Sequence, residues 1–518
     1  MRTRTRITAA LCGSASVFAA VAAGISLGSS PAAAATCTAG TFSDFNGDGI
    51  TDTVIADPDA EVGGVQRAGL VRVVLGGGKG VSEISQATSG MPATPEPNDQ
   101  FGTSTTTYDA DGDGCSDLVV GVPFEDISKH GTQLVDAGAV YVIHGTATGI
   151  GAGSAIEGYH QEELDAKVST EAYDWFGHAV KAGATASGAP YLVVGVPGEN
   201  VTVDGKTYPD AGTIEYVQGS TVVPVSAKDP GVPGSVEVND RFGFSLAGTN
   251  RYFAVGTPGE AVGKAKFAGG VAVFSHTMAS GLPTPLVGID QDSAGITGAA
   301  EAGDGFGTSI AMTNYRPADQ TYNSDVLLAV GTPNEDIGTT ADAGGATVIR
   351  IQPSGAYTEL SPLDAATDGV EGEPTAGDFL GQRVTIANTN TSVVTTSANV
   401  RLAVGIPGKD TASLKDAGAV QVFRPLEASV GASDKLLTRG SGLPGTAEAR
   451  DYAGISLMST GSRLYVGVPY SKASDSPKGA LYTLPWTDID GTTSGGSTSY
   501  LPGQGGLPDA GESFGKLG

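Results

Sequence analysis

Tryptophan occurs twice, histidine five times and cysteine three times in 518 residues, and charged side chains make up only 16% of the chain. Each shortage removes a class of function. Trp175 and Trp486 are too few for a tryptophan-based repeat or an aromatic sugar cage. His130, His144, His160, His178 and His276 show neither H-E-x-x-H nor another zinc-ligand spacing. The glycine-rich stretch 76–80 lacks the Lys-Ser/Thr of a phosphate loop and reads as a turn. Beyond the N-terminal segment there is no apolar run of membrane-spanning length. Bases are outnumbered 29 to 56 by acids, for a formal charge of −27, which sets the chain against nucleic acid and anionic membranes.

What is abundant is glycine, 78 residues, with 28 prolines, a balance that suits short strands and tight turns. A hydrophobic fraction of 40% speaks against disorder. The first 35 residues carry Arg2, Arg4 and Arg6, a weakly polar apolar run from Ile7 to Leu27, and Ala32 to Ala35 after Pro31. This reads as a secretory signal cleaved near Ala35, leaving residues 36–518 as one extracellular domain. A membrane anchor is opposed by the small-residue cleavage site, and a lipoprotein at Cys37 by Thr36 before it. Cleavage removes three Arg and no acid, leaving 26 bases against 56 acids, a charge of −30. Cations or basic surfaces are the natural partners. Cys12 leaves with the signal, so Cys37 and Cys115 are free to pair in an oxidising compartment.

One pattern repeats along the rest of the chain: an acid, any residue, an aromatic or apolar residue, then Gly. It stands at Asp99 to Gly102, Asp174 to Gly177, Asp240 to Gly243, Asp304 to Gly307, Asp378 to Gly381, Asp451 to Gly454 and Glu512 to Gly515. Between copies an apolar run ends in Gly-x-Pro, as at Gly121 to Pro123 and Gly405 to Pro407, and an Ala-Gly then opens a second alternating run, as at Ala137-Gly138 and Ala417-Gly418. The first runs read as buried strands stopped by proline. Units of this length with three clear strands and room for a fourth fit the blades of a propeller. The first unit lacks its own Phe-Gly strand, and an orphan seventh Phe514-Gly515 stands four residues from the end. The expected fold is therefore all-β: a seven-bladed β-propeller of four-stranded antiparallel blades, with the C-terminal segment 509–518 completing the first blade.

Two loops share the spacing D-x-[DN]-x-D-G-x-x-D: Asp44, Asn46, Asp48, Ile50 and Asp52 in the first, Asp109, Asp111, Asp113, Cys115 and Asp117 in the second. Side-chain oxygens at positions one, three, five and nine, with the backbone carbonyl of position seven (Ile50 or Cys115), can converge on a hard cation. Gly49 and Gly114 permit the left-handed turn. An EF-hand would need Glu at position twelve, where Ile55 and Val120 stand. The flexible all-oxygen set favours Ca2+ over magnesium, at affinities on the order of 10⁻⁴ to 10⁻³ M. A pair of solvated acidic turns is the plainer reading. The other five units lack the spacing, so two calcium sites are expected.

These elements together resemble the FG-GAP repeat family and the N-terminal propeller of integrin α chains, over essentially all of 36–518. Ala56-Asp57-Pro58 in place of Gly-x-Pro, Leu380 and Ala453 in place of Phe, and Lys478 in place of Ala depart from the pattern. The resemblance implies a calcium loop between the first two strands of a blade, and an extracellular binding or adhesion module.

After Gly-x-Pro an acid recurs at Glu125, Glu199, Glu260 and Glu335, broken by Lys409 and Ser471, and the same loops end in Asp136, Asp210, Asp342 and Asp416. On a propeller these lie on the face opposite the metal loops. They read either as solvated turn residues or as a carboxylate ring that takes basic ligands or a further cation. Gly511 to Gly515 matches the G-x-S-x-G nucleophile motif, but no strand-turn-helix surrounds it, and Ser513 belongs to the seventh repeat copy. The expectation is a secreted, monomeric, calcium-binding adhesion module, not an enzyme, whose partner is an extracellular protein or glycan, basic ones included. The alternative is an exported hydrolase with an acidic site in the propeller channel.

Overall fold

The computed structural model describes residues 37, 38 and 40–517. The expected secretory signal, 1–35, lies outside them. No helix among the described residues is long and apolar enough to cross a membrane.

Seven sheets of three to five strands, antiparallel but for one short pair, follow one another along the chain, and two small two-stranded hairpins project from loops between them. In the second blade the strands Ser104–Tyr108, Asp117–Val122, Ala139–Ile143 and Ile156–Tyr159 lie side by side in that order. The third blade repeats this with Val180–Ala184, Pro190–Val196, Thr213–Gln218 and Thr221–Val225. The sixth adds a short parallel strand, Gly442–Leu443. Every residue of Asp117–Val122 and of Asp325–Thr332 is buried, because the second strand of a blade is covered on both faces by its neighbours.

The first blade takes three strands from its own unit, Thr53–Asp57, Leu70–Leu75 and Gly80–Ile84. Its innermost strand comes from the other end of the chain: Ala56 and Lys516 form an antiparallel bridge. Ile55 packs there with Tyr465, Leu481, Leu507, Phe514 and Leu517, a core cluster that joins the last blade to the first. The ring thus closes between the two chain ends, as the orphan Phe514-Gly515 requires.

The repeat signature has a steric cause. A Cβ on Gly405, the glycine of Gly-x-Pro in the sixth blade, would stand 2.0 Å from the carbonyl oxygen of Gly454 in the seventh. A Cβ on Gly138 would stand 2.3 Å from the carbonyl oxygen of Phe176, and Gly138 has φ +91°. Blades meet backbone to backbone at these points, so no other residue fits.

Candidate metal centre

In both acidic loops the first carboxylate holds the turn together. Asp44 accepts N–H bonds from Asp48 (3.1 Å) and Gly49 (2.7 Å). Asp109 accepts from Gly112 (2.7 Å) and Gly114 (3.1 Å). Position three accepts from position five, Asn46 from Asp48 and Asp111 from Asp113, both at 3.1 Å. Position five accepts from position seven, Asp48 from Ile50 and Asp113 from Cys115, both at 2.8 Å.

The ninth residue is a clamp. Asp52 accepts from Phe45 (2.8 Å) and from Gly76 (2.7 Å), just past the next strand. Asp117 accepts from Ala110 (2.7 Å) and Gly145 (2.9 Å) in the same way. Burial raises the pKa of both Asp52 and Asp117. Each of their oxygens has one lone pair left after these bonds.

The loops differ in what approaches them. Lys79 Nζ lies 2.5 Å from Asp48 Oδ2, and this bond holds the Asp48 carboxyl below its usual range. In the second loop oxygens of Asp109, Asp111 and Asp113 lie within 4.8 Å of one another, and Asp111 and Asp117 form a second such group with His144. His144 Nδ1, 3.3 Å from Asp117 Oδ1, is buried without a hydrogen-bond partner. This donor set fits a hard cation, with Asp109, Asp111 and Asp113 as the side chains that would hold it. Neither His144 nor Lys79 carries a repeat signature, and the sequence gives no signal for either.

The two loops touch. Asp44 donates its N–H to Ser116 Oγ (3.0 Å) and Ser116 returns one to the Asp44 carbonyl (2.8 Å). Cys37 is bonded to Cys115, and both sulfurs lie within 4.8 Å of an Asp113 carboxylate oxygen. Gly47 completes the contact, since a Cβ there would lie 2.3 Å from Cys37 Cα.

On the opposite face Glu199, Glu260, Glu335, Asp136, Asp210, Asp342 and Asp416 are half-buried, and the Phe-Gly acids beside them lie deeper. Asp99, Asp174, Asp240 and Asp304 are buried, and so is Glu125. Burial is the main cause that raises Asp99 to about 7 and Glu125 to about 8, Asp174 to about 8 and Glu199 to about 7, and Asp240 to about 6 and Glu260 to about 8. Asp136, Asp210, Asp342 and Asp416 all take the left-handed backbone, φ 50° to 53°.

The central channel is lined by the first strand of every blade, with Lys181, Arg383, Lys516 and His178 among its polar groups. Among the described residues its lining includes no Asp or Glu. Ser513 is buried, its hydroxyl 3.3 Å from Asp57 Oδ1 at the ring closure.

Residues 101–143, from Phe101-Gly102 through the second acidic loop to the third strand, match the family model described as FG-GAP repeat. The chain is a seven-bladed β-propeller that contains an FG-GAP repeat in its second blade, an architecture consistent with the N-terminal propeller of integrin α chains. Among solved structures, the crystal structure of the Saccharomyces cerevisiae Sqt1 aligns with 78% of this chain and 76% of that one, at 9% identity and a TM-score of 0.39. That likeness is too loose to bear on function.

Proposed function

We propose that this protein is an exported, calcium-binding propeller that recognises an extracellular protein or glycan through loops at one end of its ring. The observation that carries the reading is the paired acidic loops, joined by hydrogen bonds and a disulfide at the first two blades. Calcium on Asp109, Asp111 and Asp113 would neutralise their mutual repulsion and stiffen that end of the ring. The disulfide supports an oxidising compartment, and FG-GAP repeats are typical of extracellular proteins.

Recognition is assigned to the opposite face. There Tyr173, Phe267 and Tyr470 stand exposed beside the acidic loops, and tyrosine next to carboxylates suits basic protein segments or sugar hydroxyls. The test is a calcium titration followed by binding to extracellular protein and glycan arrays, with Asp113→Ala as the control. Loss of the calcium response with Asp113→Ala supports the metal assignment. Array binding that is lost with Tyr173→Ser and Phe267→Ser supports the face, and binding indifferent to both sets of changes overturns the reading.

A further inference from the structure

The wall of the central channel repeats one device and departs from it in two blades. Two residues after the Phe-Gly glycine, four blades place a serine that bonds to the next blade. Ser104 Oγ donates to the Gly177 carbonyl (2.7 Å), Ser245 Oγ to that of Gly307 (2.7 Å) and Ser456 Oγ to that of Gly515 (3.3 Å), while Ser309 Oγ accepts the Val384 N–H (3.0 Å). The sixth blade puts Arg383 at this position. Two residues further on stand the uncharged Thr106, Ala247, Ala311, Thr385 and Met458, and in the third blade Lys181. Both cations line one cavity of about 510 Å³, with Lys516 of the ring closure on the same wall.

Elsewhere the chain pairs its buried arginines. Arg72 lies 2.9 Å from Glu83, Arg401 2.6 Å from Asp490, and Arg439, at the end of the sixth blade, 2.8 Å from Asp451 in the seventh. Among the described residues Lys181, Arg383 and Lys516 form no ion pair, although acids outnumber bases 56 to 29 in the chain. Burial lowers the pKa of Lys181 and of Arg383, and no carboxylate acts against it. His178, also on the wall, has its Nδ1 buried without a hydrogen-bond partner. Burial, and then the charges of Arg241 and Arg383, lower its pKa to about 4, so the ring is neutral at pH 7. The charge of Arg383 is therefore felt on the wall of the third blade, where Lys181 stands.

A cation drawn out of bulk water is costly unless an opposite charge compensates it. Unpaired cations around one cavity, with no acid in its lining, are the arrangement that a bound anion relieves. A guanidinium offers a planar fork of donors that matches a tetrahedral oxyanion, an ammonium adds a point charge, and a neutral imidazole has one N–H to give. We propose that the central channel binds a doubly charged oxyanion, a phosphate or sulfate group, held by Arg383 and Lys181 with His178 as a neutral donor. The site shares no residue with the acidic loops or with the exposed aromatic side chains, and it does not depend on the function proposed above.

Isothermal titration calorimetry on chelator-treated protein at low ionic strength tests this, with inorganic phosphate, sulfate and glycerol 3-phosphate as the probes. One anion per chain is expected to bind. Tighter binding of glycerol 3-phosphate than of either inorganic ion assigns the site to an ester, and the reverse order assigns it to the free ion. Arg383→Gln and Lys181→Met are each expected to weaken binding at least about tenfold, the effect of losing a charge-assisted hydrogen bond. Lys206→Met, on an exposed hairpin, is expected to leave binding unchanged. Because the channel cations have no partner in the fold, both channel variants are expected to melt no lower than the parent without anion, and to lose the rise in melting temperature that the anion gives the parent. Failure of all three probes to bind, binding indifferent to both channel substitutions, or an equal loss with Lys206→Met overturns the proposal. So does a marked loss of anion-free stability in both channel variants, which would mean that these cations serve the fold.

Discussion

Ala56 donates its N–H to the carbonyl of Lys516 at 3.0 Å and accepts the Lys516 N–H at 3.2 Å, and through this pair the two ends of the chain become one blade. Phe514, two residues earlier and fully buried, seals the contact between the last blade and the first.

Opening that contact is expected to weaken the whole ring, because a propeller with one loose blade loses the packing on both sides of the gap. Phe514→Ala removes a buried ring and is expected to cost about 3–5 kcal/mol. Deleting residues 512–518 is expected to cost more, since it also removes the bridge to Ala56. Urea unfolding followed by circular dichroism measures both. A midpoint unchanged by the deletion would mean that the ring does not depend on its closure.

The blades were legible in the sequence because their marks are steric. Gly405 against Gly454, or Gly138 against Phe176, admits no side chain, so the glycines recur wherever blades meet. Closure was legible for the same reason: Phe514-Gly515 had no unit of its own. The fourth strands left weaker marks, as in Thr498–Tyr500, where only the last residue is partly buried. The metal loops were legible as spacing, but Lys79 and His144 reach them from neighbouring strands and belong to no pattern. The acids of the opposite face were visible and their burial was not, because an aspartate that caps a turn reads alike whether water or a neighbouring blade covers it. Arg439 ends the outer strand Lys435–Arg439 of one blade and serves the next, a relation that exists only in three dimensions.

Those buried acids set a pH dependence. A carboxyl whose pKa is raised on folding keeps a proton that the unfolded chain gives up. Its stabilising effect is present below the unfolded value, 3.8 for Asp99 and 4.5 for Glu125, and is lost as pH rises through the folded value, about 7 for Asp99 and about 8 for Glu125. Stability of the calcium-free protein is therefore expected to fall from pH 5 to pH 8, each unit of displacement counting for about 1.4 kcal/mol at most. Glu125→Gln, which mimics the protonated acid, is expected to flatten the slope. Melting temperatures in chelator across this range decide it, and a profile that rises towards pH 8 would contradict the assignment.

The bond from Cys37 to Cys115 spans 78 residues of sequence and ties the start of the described chain to the second acidic loop. Cys37→Ser with Cys115→Ser is expected to lower stability by about 4 kcal/mol through the freed unfolded chain. Because Asp44 and Ser116 also join the loops, calcium binding at both is expected to weaken together. Chemical denaturation and calcium titration of the double variant measure the two effects. Full calcium affinity without the disulfide would show that the hydrogen bonds alone hold the loops in place.

At the first loop a cation already competes for the ligands. Lys79 is half exposed, and its ammonium sits on Asp48, the residue at position five of the metal loop. Calcium must displace that ammonium, whereas no lysine meets the second loop among the described residues. Lys79→Ala removes the competitor and is expected to tighten calcium binding at the first loop several-fold, with the second loop unchanged. An exposed pair of this kind contributes about 0 to 1 kcal/mol, so the fold is expected to tolerate the change. Calcium titration of Lys79→Ala in an Asp113→Ala background isolates the first loop, and an affinity that falls instead would mean that Lys79 orients Asp48 for the ion.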